Sequence, residues 1–272
     1  MRKIKKIVLA LMGMVSLLSA SAPHNDGIKW TKLFDVKSLN ESYVPQAIDV
    51  YKDYVLFSVH AKDAKSALIV FKKTPESLEY LFEVDMPAEA THTSDFNVLG
   101  DILYAVDYAS NTIYEKDILA LLEKKELVIL HRFFLDMSRT GSLAIIDYEG
   151  EKYVLISQFI ISNKLTGFKL SELKKDRLTK NMVAFTITNH RFVQGLYVKY
   201  NMLLISTNNW GIDTIKLVDI PKMMQTKDVD KATIKSINAP FKMVEDITIH
   251  GNRIITSDEE TNYIYESEDL TK

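Results

Sequence analysis

There is no cysteine among the 272 residues. Disulfides, thiolate nucleophiles and zinc–thiolate sites are therefore excluded, as is a lipid-modified N-terminal cysteine. Also missing are a glycine-rich phosphate loop, an HExxH helix, a GxSxG elbow and a dinucleotide-binding fingerprint. Excess positive charge is lacking too: 34 Lys and Arg stand against 36 Asp and Glu, a net charge of −2. Nucleic acid, which requires a basic surface, is not an expected partner. The one long apolar run, Ile7–Leu18, is short for a bilayer span and follows the basic Arg2, Lys3, Lys5 and Lys6. With the small residues Ala20-Ser21-Ala22 behind it, the stretch reads as a signal peptide over residues 1–22, a retained anchor being the alternative. Cleavage would leave 250 residues with a net charge of −6 and no further segment apolar enough to cross a membrane. The expectation is a periplasmic or secreted monomer, a single domain over residues 23–272, held together by its core alone.

What the chain does have is a repeat. The stretch Ser94–Ile118 reads as three short strands, Phe96–Val98, Ile102–Val106 and Thr112–Glu115, joined at Gly100-Asp101 and at Ala109-Ser110-Asn111. The same plan starts again at Gln46, Ser142, Gln194 and Glu245, giving spacings of 48, 48, 52 and 51 residues. Each block carries a tight hairpin, at Lys52-Asp53, Gly100-Asp101, Glu149-Gly150, Tyr200-Asn201 or Gly251-Asn252, and these turns favour residues that tolerate positive φ. Four blocks continue into a fourth alternating segment: Leu78–Val84, Leu127–Phe133, Met182–Ile187 and Thr233–Ile237. The fifth stops at Tyr263–Glu266. Its missing strand is expected at the other end of the chain, where the segment from Trp30 to Val36 matches that from Leu78 to Val84, one repeat of 48 away. Four strands per period of about fifty residues, with one strand displaced to the N-terminus, predict an all-β fold: a closed five-bladed β-propeller. Pairing Ile28–Val36 with Tyr263–Glu266 would remove the two exposed edges that an open array leaves. An all-β sandwich is the alternative. Leu119–Glu126 and Ile220–Gln225 read as short helical or loop insertions.

In such a ring the starts of the innermost strands and the loops after the second strands meet on one face. The inner-strand starts are Gln46, Ser94, Ser142, Gln194 and Glu245, with Asp95 and Asp246 next to two of them. The second strands end at His60, Asp107, Phe159, Asn208 and Asp258, with Gln158 beside the apolar exception. Tyr43, Thr91, Arg139, Arg191 and Lys242 precede the inner strands, and His92 and His190 lie in the same loops. A concave polar site follows, rimmed by three cations that would favour carboxylate or phosphate. The candidate ligand-binding residues are Gln46, His60, His92, Asp107, Arg191, Gln194, Asn208, Trp210, Glu245 and Asp258; Trp210 offers a flat ring beside two amides. No cofactor is required. A Ca²⁺ ion is the candidate metal, with Asp95, Asp107, Asp246 and Asp258 as oxygen ligands. The set Ser94, His92, Asp95 does not make a triad, because neighbours along a strand point to opposite faces.

The segments ILYAVDYASNTIYEKD and NRIITSDEETNYIYES resemble the repeats of NHL, SMP-30-like and related secreted bacterial propellers. The triplets Gln46-Ala47-Ile48, Gln194-Gly195-Leu196 and Glu245-Asp246-Ile247 are similar to the Glu-Gly-Leu-like starts of inner strands in plant-type glutaminyl cyclotransferases, with the acid kept at Glu245. Calcium-dependent lactonase-type propellers are similar in architecture but have six blades. The repeat-level resemblance specifies no activity, and the leading expectation is a non-catalytic binding propeller for a small polar or anionic molecule, a glycan or a protein partner. The alternative is an enzyme, a metal-assisted hydrolase or a cyclotransferase, with Glu245 or Asp246 as general base.

Overall fold

The computed structural model describes residues 28–61, 66–90, 92–159, 162–190, 192–209, 212–239 and 243–271. The leader over 1–22, Thr91, Arg191, Trp210 and Lys242 lie outside them. Five antiparallel sheets form a ring. Blade I is β2 (Tyr43–Tyr51), β3 (Tyr54–Ala61), β4 (Ala67–Lys73) and β5 (Leu78–Asp85). Blade II is β6 (Thr93–Leu99), β7 (Ile102–Asp107), β8 (Thr112–Asp117) and β9 (Ile129–Leu135). Blade III is β10 (Thr140–Tyr148), β11 (Glu151–Gln158), β12 (Lys164–Lys169) and β14 (Val183–Thr188). Blade IV is β15 (Val193–Lys199), β16 (Met202–Asn209), β17 (Ile212–Asp219) and β18 (Thr233–Asn238). Blade V is β19 (Val244–His250), β20 (Arg253–Asp258), β21 (Tyr263–Ser267) and, from the other end of the chain, β1 (Trp30–Asp35).

The displaced strand closes the ring as expected, with Thr31 opposite Glu266 and Asp35 opposite Tyr263. Closure is reinforced between blades V and I by a buried ion pair, Lys73 Nζ to a Glu266 carboxylate oxygen at 3.1 Å. The five inner hairpins turn where the sequence placed them, with positive φ at Lys52, Gly100, Glu149, Gly150, Tyr200 and Gly251. The insertions are helical: α1 (Ile118–Lys124) is capped by the Asp117 side chain and α2 (Ile220–Thr226) by Asp219, with a short α3 (Val229–Ala232) after it. One strand was not expected. The segment between β12 and β14 leaves blade III and lays β13 (Arg177–Leu178) parallel to β9, so that blade II gains a fifth strand.

The apolar residues sort into five clusters, each at a junction between two blades. Val55, Phe57, Ile69 and Phe71 meet Ile255 and Ile264 between blades I and V. Leu56, Leu68 and Val70, from the opposite face of the same strands, meet Phe96, Leu103 and Tyr114 of blade II. This is the period-two alternation of a strand buried on both faces. Blades hold one another, and the axis is left to polar groups.

Candidate functional site

Each inner strand carries a bulge near its start. Thr93 pairs with Asp107 and Asp95 with Val106, so Ser94 is the extra residue of blade II. Gly141 and Gln194 are the extra residues of blades III and IV. Blades I and V shift register in the same place, at Gln46-Ala47 and Glu245-Asp246. A bulge redirects a side chain that the pleat would otherwise send into a blade junction. Here the five bulges turn Gln46, Ser94, Gly141, Gln194 and Glu245 towards the axis, where all five line a cavity of about 280 Å³.

Around this floor stand two further rings. One comprises residues at or just past the ends of the second strands: His60, Tyr108, Phe159, Asn208 and Glu259. The backbone N–H groups of the last four donate to the carbonyls of His92, Arg139, Phe192 and Met243, and His60 pairs with Val44. Val44, His92 and Met243 line the cavity as the upper ring. Several expectations change register here. In blade III the axial residue is Gly141, while Ser142 points into the wall and bonds Ser157 Oγ at 2.6 Å. In blades II and V the cavity takes Tyr108 and Glu259. Asp107 and Asp258, one residue earlier, lie beneath and bind their loops instead. Asp107 accepts from His92 N and Ser110 N, both at 2.7 Å, and Asp258 from Met243 N and Thr261 N, both at 3.0 Å. Arg139 is the counterpart of His92 and Phe192, and so does not share the offset of Arg191 and Lys242.

The mouth is chemically two-sided. A chain of rings runs from blade I to blade IV: His60 stacks on His92 at 4.7 Å, His92 meets Tyr108 at 5.4 Å, and Phe159 stands edge-on to both Tyr108 and Phe192. Gly141 makes room for this, since a Cβ there would lie 2.9 Å from Phe159 Cβ. Opposite the rings are Gln194, Asn208, Glu245 and Glu259. Gln194 Nε2 donates to Glu245 Oε1 at 3.1 Å. Burial, and after it the neighbouring Glu259 carboxyl, push Glu245 well above the usual carboxylate range. Burial and the adjacent His60 push the His92 imidazole down, which keeps it neutral. No lysine or arginine lines the cavity among the described residues.

Under the floor the channel is filled with buried acids. The inner strands present N–H groups to the axis with no strand to receive them, and such groups need acceptors. Asp95 of blade II accepts from Leu143 N of blade III at 2.9 Å and Leu196 N of blade IV at 3.2 Å. Asp246 of blade V accepts from Ile48 N of blade I at 2.8 Å, and Asp49 of blade I from Val98 N of blade II at 2.6 Å. Asp95 and Asp246 interact across the axis, and burial raises both well above the carboxylate range. Asp246 is 1% exposed and lies below the cavity that Glu245 lines. Of the four acids named for a metal, two sit in separate loops and two form this pair. Among the described residues no three His, Asp or Glu are grouped to hold a metal ion.

With this geometry the chain can be set beside known proteins. The glutaminyl cyclase of Myxococcus xanthus superposes with a TM-score of 0.60 over 89% of this chain and 94% of its own, at 9% sequence identity. The likeness is one of fold. The hydrazine synthase of Kuenenia stuttgartiensis matches 79% of this chain and 55% of its own at 10% identity, but its TM-score of 0.43 carries no argument. No protein-family model and no curated protein matches the sequence.

A second cavity went unforeseen. It measures about 670 Å³ and lies between blades II and III, lined by Leu135, Met137 and Ser138 on one side and Gln158, Thr166 and Thr186 on the other. The repeat pattern gives no sign of it, because its walls come from two different blades and one lining residue, Lys180, from the insertion that carries β13 across to blade II. Among the described residues no helix is long and apolar enough to cross a membrane.

Proposed function

We propose that the protein is an exported binding propeller whose axial cavity takes a small ligand bearing an ammonium group. The observation that carries this reading is the facing of an aromatic arc, His92–Tyr108–Phe159, by the Glu245–Glu259 pair. An ammonium ion is attracted both to ring faces and to a carboxylate, most strongly where water is excluded. The anionic ligand expected from the sequence finds two carboxyl groups and no described cation at the wall. Export rests on the basic and then apolar leader.

The test is calorimetric titration with alaninamide and with N-acetylalaninamide, which lacks the charge. Alaninamide is expected to bind, and Glu259→Gln to weaken it at least tenfold, about 1.4 kcal/mol. Equal binding of the acetylated compound would overturn the reading.

A second reading is favoured by Glu245 and Glu259, neighbouring carboxyl groups at the cavity wall, together with the cyclase fold neighbour. In it an N-terminal glutamine enters the cavity, and its α-nitrogen attacks the side-chain amide carbon. A new N–C bond forms, the bond to the amide nitrogen breaks, and ammonia leaves. The α-amine attacks in its neutral form, its ammonium proton having passed to solvent. Glu259 would take a second proton from that nitrogen as the new bond forms, and Glu245, held neutral by burial, would supply one to the leaving nitrogen. Ammonia release from glutaminyl-alaninamide, abolished in Glu245→Gln, separates this enzyme from a simple binder.

A further inference from the structure

The two cavities share a wall. Gln158 lines the cleft between blades II and III, and Phe159, the next residue, lines the axial cavity. On the facing segment Ser138 belongs to the cleft and Gly141 to the axis. Two chain segments run between them, joined by the Phe159 N–H to the Arg139 carbonyl and by Gln158 Nε2 to the Ser138 carbonyl at 2.8 Å. At about 280 Å³ the axial cavity falls at the small end of ligand pockets, whereas the cleft, about 670 Å³, sits in the middle of their range.

The chemistry of the two differs in a complementary way. The axial cavity has an acidic side and rings, which suits a charged head. The cleft has amides and hydroxyls, Gln158, Ser138, Thr166 and Thr186, over an aliphatic floor of Leu135 and Val183. Its charges balance: Lys180 supplies one cation, and Asp136 lies 3.6 Å from the Arg177 guanidinium. Such a lining matches a neutral chain with alternating polar groups and small apolar branches, which is what a peptide offers. Nor is the cleft a by-product of the repeat. The insertion between β12 and β14, which spans blades II and III, contributes Lys180 to its lining.

We infer that the blade II–III cleft is a peptide subsite continuous with the axial cavity, holding the residues that follow a free amino terminus bound at Glu245 and Glu259. The inference rests on the ammonium reading of the axial cavity. Direction is set by the wall: the amino end sits at the axis, the chain crosses the rim at Phe159, and the following residues run outward past Gln158 towards Thr186.

The experiment compares alaninamide, tetra-alanine amide and N-acetyl-tetra-alanine amide by calorimetry on the parent protein and on Thr186→Trp. Thr186 is exposed on an outer strand, so an indole there fills the cleft without entering the core. Ser138→Trp, from the opposite wall, is the second variant should the first fail to fold. The tetrapeptide amide is expected to bind the parent at least tenfold more tightly than alaninamide. The Trp variants should erase that gain and leave alaninamide unchanged. No gain with length, or a gain that survives both substitutions, overturns the subsite. An acetylated tetrapeptide that binds as tightly as the free one overturns the continuity. Failure of alaninamide itself, in parent and variants alike, brings down the ammonium reading and the inference with it.

Discussion

Lys116 shows what a single side chain costs in this fold. It sits on β8, 1% exposed, with the Met86 sulfur at 3.7 Å as its hydrogen-bond partner. Burial lowers its pKa to about 7 from 10.5, and Asp107 opposes this only in part. Between those two values the unfolded chain binds more protons, so the lysine's contribution to stability improves as pH rises through that window. Below pH 7 the full penalty stands, of the order of 5 kcal/mol. Lys116→Met should therefore raise the melting temperature by several degrees at pH 7, and the gain should shrink towards pH 10. A melting series at four pH values checks both; a Met variant less stable than the parent at pH 7 would mean the ammonium has compensating contacts. At the same scale the candidate site was legible by residue type, not by register. Gln46, His60, His92, Gln194, Asn208 and Glu245 line the axial cavity as expected, while Tyr108 and Glu259 take the places assigned to Asp107 and Asp258. Counting along a strand cannot show which of two neighbours faces the axis, because one residue moves a side chain to the other face.

Among the elements, β1 has the clearest duty. It comes from residues some 230 positions away from its partner β21, yet its register is set by Trp30 opposite Ser267 and Asp35 opposite Tyr263. Leu33 and Phe34 of this strand pack against the cluster between blades V and I, and Phe34 meets the Phe71 ring at 4.8 Å. Deleting residues 23–37 would open the edge of β21 and remove Val36 from the same cluster. The truncated chain is expected to aggregate or to lose its cooperative urea transition. Unfolding indistinguishable from the parent would show that the ring is held closed by other contacts. The pairing was readable because the strand repeats the pattern of Leu78–Val84. β13 was not: two residues leave no periodicity to detect, and their pairing with β9 exists only once blades II and III are side by side.

For the whole molecule, the axis governs the response to pH. Burial raises the pKa of Asp49 to about 7, and raises those of Asp95, Asp246 and Glu245 well above the carboxylate range. A carboxyl whose folded pKa is raised holds its proton more tightly in the native state. Its contribution is present below the unfolded value of 3.8 and is lost as pH climbs through the folded one. For Asp49 that window runs from 3.8 to about 7. The melting temperature should thus be higher at pH 5 than at pH 7.5, and Asp49→Asn should flatten the slope, since the amide does not titrate and its one carbonyl oxygen still accepts from Val98 N or from Thr248 Oγ1, which bond different oxygens of the carboxylate. A slope unchanged in the variant would place the titration elsewhere in the axial column.

The sequence by itself determined the ring. Strand content, turn positions and the number of blades follow from local alternation and from the φ preferences of a few turn residues, both of which are written residue by residue. It also determined closure, since one terminal segment copies the missing strand. Only the tertiary structure decided the site. Five bulges, each a single extra residue with no mark of its own, choose which side chains reach the axis. The meeting of five blades then decides what those side chains become. Glu245 and Glu259, fourteen positions apart, are brought close enough that Glu259 adds to the burial that raises Glu245 above the carboxylate range. Asp95 and Asp246, on blades II and V, become a buried pair instead of exposed ligands. Local preference acts over a few residues, whereas the field and solvation at a carboxyl depend on everything packed around it.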